Sequence, residues 1–251
     1  MRIVETMGTI IGLDVRDGDV PDSAFDEAGS WLIGVDRRFS PFRPESEISR
    51  LARGELAADA CSADVRFVLT RCEALRLESE GYFDIRATGL RGGLDPSGYV
   101  KGWAAEEAAY ILEAAGARSY LINAGGDVIV RGEPEPGRPW VVGIRHPLES
   151  DQVVARVSPP VEFTRFAVAT SGSYERGEHI VDPHTGSPPD RWSSVTIIGP
   201  SLALADAYAT TAYAMGEAGL AWLTGRPGYS GYAIDRRLGA TWTPGFERLP
   251  G

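Results

Sequence analysis

Two short stretches gather the side chains best suited to chemistry. One, ATSGSYERGEHIVDPHTGSP at 169–188, holds two of the chain's three histidines, His179 and His184, together with Glu175, Arg176 and Asp182. A loop that only joins two elements needs Gly, Pro and Ser for its turns. It has no need of two imidazoles, although a polar surface turn is the competing reading. The other stretch, ADAYATT at 205–211, sets Asp206 and Thr210 four residues apart. On a helix both project from one face, about a turn apart. A carboxylate and a hydroxyl among small alanines form a hard-oxygen pair suited to Mg²⁺ that bridges to phosphate. The same residues equally suit a plain helix start, with the Asp favourable to the dipole and the Thr bonded back to a carbonyl.

A third stretch, LDPSGYVKGW at 94–103, combines Gly98, Gly102 and Lys101. The glycines allow close backbone approach, and a turn feeding a helix N-terminus presents amides to an anion. The Walker spacing is absent, and a simple helix-entry turn is the plainer reading. Gly125-Gly126-Asp127 is open to two readings as well, a β-bulge or a backbone that contacts a nucleotide.

Helices and strands must position these residues. MGTIIGLDVR alternates as a first strand. DSAFDEAGSWLIGVDRRFS has helical spacing, with Asp22 and Ser23 as cap candidates. Pro41 and Pro44 force a turn, after which Ser46 opens a short helical piece. SADVRFVLTRCEALRLESEG is an amphipathic helix stopped by Gly81. The stretch from Tyr82 to Trp103 is glycine-punctuated and irregular, and AAEEAAYILEAAG is the helix after it. SYLINAGGDVIVRG predicts two strands broken at Gly125-Gly126. PWVVGIRHP, QVVARVSP, FAVATSG and SSVTIIG are further strands. SLALADAYATTAYAMGEAGLAWL is the longest helical pattern, and GYAIDRRLGATWTP closes with two short strands.

The chain has 251 residues, is 43% hydrophobic and carries a formal charge of −10. A core of ordinary size is expected, and nucleic acid is a poor partner for such an acidic chain. Cys61 and Cys72 match no metal-binding spacing and are expected as reduced thiols. The start MRIVETMGTIIGLDV contains Glu5 and Asp14. Neither a signal peptide nor a membrane span is expected, and the expected location is the cytoplasm.

The motifs MGT (7–9), FSPFRPESEISRL (39–51), GYFD (81–84), LDPSGYVKGWAAE (94–106), INAGGDV (122–128), SGSYERGEHIVDPHTGSP (171–188) and ADAYATTAYAMG (205–216) occur in one order. In that order they resemble the FAD:protein FMN transferases, the ApbE family. The resemblance implies a single α+β domain over 1–251, with a T-fold-like core of antiparallel strands and packed helices. It implies binding of FAD with Mg²⁺ on its pyrophosphate, transfer of FMN to a Ser or Thr hydroxyl of an acceptor flavoprotein, and release of AMP. The family's metal ligands fall on Asp206, Thr210 and the backbone carbonyl of Gly98. Its flavin and nucleotide contacts fall on Met7, Phe42, Tyr82, Phe83, Asp84, Asp95, Lys101 and Ile180. Its catalytic histidine falls on His179. Asp182 is left either to orient that imidazole or to hold the loop. Ten residues separate Asp84 from Asp95, fewer than the family usually has there. FAD hydrolysis to FMN and AMP, or flavin binding without turnover, are the alternative functions.

Overall fold

A computed structural model describes residues 1–87, 93–160, 163–172 and 180–249. Its fold class is the expected one, α+β with antiparallel strands and packed helices. Strands β1 (Arg2–Thr6), β2 (Thr9–Val15), β3 (Tyr120–Ala124), β4 (Asp127–Arg131), β7 (Arg165–Gly172), β8 (Trp192–Gly199), β9 (Ser230–Asp235) and β10 (Ala240–Trp242) form one sheet in that spatial order. Every neighbouring pair is antiparallel. Strands β5 (Val142–Arg145) and β6 (Val153–Val157) form a separate hairpin.

Turn chemistry sets the register. Met7 and Gly8, with φ of 52° and 68°, join β1 to β2 and place Val4 opposite Ile11. Gly125 and Gly126 take φ of 62° and 102° between β3 and β4. Both are tight hairpins of the kind that match strand twist. Strand β1 does not stand out in the sequence, because it is an edge strand with mostly exposed, polar-interrupted residues.

One sheet face carries the helices α1 (Asp22–Phe39), α2 (Glu47–Ala52), α3 (Ala63–Glu78), α4 (Ser97–Ala114), α5 (Leu202–Ala214) and α6 (Ala218–Leu223). The opposite face of the middle strands is covered by the β5–β6 hairpin, whose Val142, Ile144 and Val157 join Trp140, Phe166 and Phe246. Double coverage explains β8, in which all eight residues are buried and the usual apolar/polar alternation is lost.

Helix ends follow local chemistry. The Ser46 hydroxyl accepts from the Ser49 amide at 3.0 Å, capping α2. Helix α1 differs from expectation, since it starts at Asp22 behind Pro21 with no side-chain cap. Helix α4 starts at Ser97, so the supposedly irregular SGYVKGW forms its first turns. The long pattern after Ser201 is two helices, divided where Gly216 takes φ of 61°.

Helix α4 is pinned to the sheet at its C-terminal end through Glu113. Tyr120 on β3 donates its hydroxyl at 2.6 Å, Arg165 on β7 donates twice at 2.7 Å, and Arg131 on β4 lies at 2.8 Å. Burial works to raise the Glu113 pKa. The hydrogen bonds from Arg165 and Tyr120 and the charges of Arg165 and Arg131 outweigh it and hold the carboxyl below its ordinary value. A depressed folded-state pKa adds stability that is complete above the unfolded carboxylate pKa, about 4.3. That stability is lost as pH falls through the folded value. Glu113→Gln should therefore cost about 1.5–3 kcal/mol at neutral pH. The gap from the parent should close as urea unfolding is repeated at progressively acidic pH.

Candidate active site at the crossing of α4 and α5

The polar cluster begins with two absent side chains. A Cβ on Gly102 would lie 2.5 Å from the Leu202 carbonyl oxygen and 2.9 Å from Asp206 Cβ. One on Gly98 would lie 3.1 Å from Thr210 Oγ1 and 3.4 Å from Phe83. Glycines one turn apart thus let α4 and α5 cross antiparallel at near backbone contact, and Asp206 and Thr210 meet them there. Glu106 fixes the approach from the other end. Its Oε2 accepts from Ser201 Oγ at 2.7 Å and from the Ala203 amide at 3.0 Å, satisfying the first turn of α5.

Asp206 is 3% exposed, and its Oδ2 accepts from the Gly102 amide at 3.0 Å. Thr210 Oγ1 lies 3.2 Å from Ser171 Oγ at the end of β7. Lys101 Nζ sits 2.6 Å from Asp127 Oδ2 and 3.9 Å from Asp206 Oδ1. Asp127 itself is 2% exposed, and its Oδ1 accepts from the Thr170 amide at 2.9 Å. The cluster therefore draws on α4, α5, β4 and β7. Its side-chain donors near Thr210 are oxygens, a hard set that fits Mg²⁺. No group of three or more His, Cys, Asp or Glu gathers for a metal among the described residues. A cation at Asp206 and Thr210 would thus keep water or substrate oxygens in its shell.

The other residues singled out from the sequence are spread over neighbouring segments. Met7 occupies the β1–β2 turn and packs on the helix-side core. Phe42 stands on the loop between α1 and α2 and is 79% exposed. Phe83 is buried against Gly98. Asp84 Oδ1 accepts from the Arg86 amide at 2.9 Å, and Asp95 Oδ1 accepts from the Ser97 amide at 3.0 Å as α4 begins. Ile180 is half-buried on the core. The Tyr82 ring lies 4.4 Å from that of His184, which also rests over Gly81, so His184 reaches the GYFD segment. His179, with Glu175 and Arg176, lies outside the described residues.

Asp182 uses both carboxylate oxygens within its own turn. Oδ1 accepts from the His184 amide at 2.9 Å and Oδ2 from the Thr185 hydroxyl at 3.2 Å. That is the loop-holding arrangement. Asp127 and Ser171 were not singled out as site residues. Asp127 reads locally as the third residue of a glycine turn, and only its partner Lys101, on α4, gives it another meaning.

A cavity of about 670 Å³ lies between α2, α3 and residues 84–86 and 93–94, lined by Leu51, Leu69, Cys72, Arg76, Asp84 and Leu94 among others. Burial pushes the Cys72 thiol up to about 12, which leaves it without nucleophilic thiolate at neutral pH.

An antiparallel sheet backed by helices, with carboxylates, hydroxyls and one lysine gathered at a glycine-mediated helix crossing, defines an α+β protein with a polar cluster at that crossing. A family model described as the ApbE family matches residues 7–92 and 89–233, and the chain belongs to that family. A relative from Escherichia coli (strain K12) named FAD:protein FMN transferase is 28% identical over 98% of this chain and 70% of its own length. One of the same name from Vibrio cholerae is 34% identical over 49% of this chain and 39% of its own length. The solved flavin transferase ApbE from Vibrio cholerae shares the fold, with a TM-score of 0.80 at 23% identity over 96% of this chain and 95% of its own. The apo form of the Pseudomonas stutzeri flavinyl transferase ApbE superposes with a TM-score of 0.79 at 25% identity, over 96% and 92%.

Gly102 tests the crossing directly. An added methyl cannot avoid backbone at 2.5 Å, so Gly102→Ala must push the helices apart. Denaturant unfolding should show a loss of about 1–3 kcal/mol.

Proposed function

We propose that the protein is a Mg²⁺-dependent FAD:protein FMN transferase, moving FMN from FAD onto a Ser or Thr hydroxyl of an acceptor flavoprotein with release of AMP. The observation that carries this reading is the pairing of buried Asp206 with half-buried Thr210 beside Lys101, at the Gly98 and Gly102 crossing, in a chain of the ApbE family. The relatives' name, FAD:protein FMN transferase, supports it.

The reaction breaks the phosphoanhydride of FAD. The acceptor oxygen bonds to the flavin-side phosphorus, AMP leaves, and the hydroxyl proton goes to a base. Catalysis of such a transfer is mainly positioning and charge stabilisation. Asp206, Thr210 and the Gly98 carbonyl would hold Mg²⁺, which would supply neutralisation of pyrophosphate charge. Lys101 offers its ammonium to the same group. His179 takes the proton from the attacking hydroxyl, a role suited to an imidazole with a reference pKa near ~6.5. Tyr82 and Phe42 present ring faces to the isoalloxazine or adenine. Met7, Phe83, Asp84, Asp95 and Ile180 complete the flavin and nucleotide contacts. Water in place of the acceptor hydroxyl would give FMN and AMP from the same residues.

Incubation with FAD, Mg²⁺ and candidate acceptor flavoproteins separates transfer from hydrolysis. Transfer leaves an acceptor band that keeps flavin fluorescence after denaturation; only free FMN would mean hydrolysis. Asp206→Ala should remove most Mg²⁺ affinity and turnover, and Thr210→Val should weaken both less severely. Normal turnover of Asp206→Ala at the parent Mg²⁺ optimum would reject the metal assignment. His179→Ala should slow single-turnover transfer about 10²–10⁴-fold while FAD affinity, measured by fluorescence quenching, stays near the parent's.

A further inference from the structure

Of the buried acidic side chains at this crossing, Glu106 caps α5 and Asp206 is assigned to the cation. Asp127 has no part in the function just proposed. Yet it is 2% exposed, and it faces the same ammonium as Asp206. Its position is fixed by the Thr170 amide, which donates to Oδ1 at 2.9 Å. Its other oxygen lies 2.6 Å from Lys101 Nζ, against 3.9 Å for Asp206 Oδ1. Two carboxylates therefore compete for one ammonium, and the nearer one is not the proposed metal ligand. Coulomb attraction grows as distance shrinks and is weakly screened in a buried setting. The ammonium is thus held toward β4. Were it drawn fully onto Asp206, it would offset that carboxylate's charge and repel a divalent cation at the Asp206–Thr210 pair.

We infer that Asp127 is a positioning residue: by holding Lys101 back from Asp206, it keeps the Asp206–Thr210 pair open to a divalent cation and leaves Lys101 beside it for the pyrophosphate. This rests on the Mg²⁺ reading of Asp206 and Thr210 given above. Partners outside the ligand set commonly tune a metal site in this way, and their loss typically costs about 10–100-fold in metal affinity.

Asp127→Asn is the informative substitution, because its amide oxygen can still accept from the Thr170 amide while the charge facing Lys101 is gone. Lys101→Met removes the competing ammonium and keeps an unbranched chain. The probe is Mn²⁺, with free ion read by electron paramagnetic resonance, without nucleotide and with saturating FAD. The set is the parent, Asp206→Ala, the two single variants and their double.

Asp127→Asn should weaken Mn²⁺ binding about 10–100-fold. Lys101→Met should bind at least as tightly as the parent, and the double variant should recover to nearly the Lys101→Met affinity. Parent-like Mn²⁺ affinity in Asp127→Asn overturns the inference. So does a double variant as weak as Asp127→Asn, since Asp127 would then act without Lys101. Weaker binding by Lys101→Met overturns it as well, and that result does not depend on Asp127→Asn folding. If the parent binds no Mn²⁺ in either condition, or Asp206→Ala binds as the parent does, the metal reading itself fails and the inference with it. Loss of binding in Asp206→Ala together with an unaffected Asp127→Asn overturns the inference alone.

Discussion

The structure depends on how close α4 and α5 can come. A single β-carbon at Gly102 would meet the Leu202 carbonyl at 2.5 Å. With hydrogen there instead, the Gly102 amide reaches the Asp206 carboxylate at 3.0 Å. Glycine is costly inside a helix, by about 1 kcal/mol relative to alanine. Here that cost is offset by a helix contact that a larger residue would prevent, and by a hydrogen bond to a carboxylate that is itself buried. Packing and polar geometry are one feature at this crossing, so neither can be altered alone.

The rest of the fold holds the crossing in place. Glu106 ties α4 to the start of α5, and Glu113 ties the end of α4 to three strands. The sheet beneath is covered on both faces at its centre, by helices on one side and by the β5–β6 hairpin on the other. Strand β7 leaves this doubly covered region carrying Thr170 and Ser171, and so delivers their polar atoms to the helix crossing from below.

Much of this was legible in the sequence where the signal is local. Strong amphipathic helices, the Gly125-Gly126 hairpin and the Ser46 cap each follow from residues close together in the chain. The start of α4 was not legible, because Gly98 and Gly102 lower helix propensity and resemble a loop; their reason is a partner helix far along the chain. Strand β1 was hidden by its exposed edge position, and the break before α6 by a run of helix formers on both sides of Gly216. The pairing of Asp206 with Thr210 was visible as a four-residue spacing. Asp127 shows in the sequence only as the end of a glycine turn, because its side chain's value comes from Lys101, on another element. The role of Asp182 is left open by sequence, and its two hydrogen bonds within its own turn are a matter of geometry alone.

The Gly102 amide and the Asp206 carboxylate are separated by 104 positions in the chain. During synthesis from the N-terminus, β1 to β4 and α1 to α4 emerge before Asp206 has been made, while domains generally fold as units. The cluster is completed only when α5 docks, so it belongs to the finished fold and to no earlier stage. Contacts of such long range must meet the entropy of closing a long loop before they reward it.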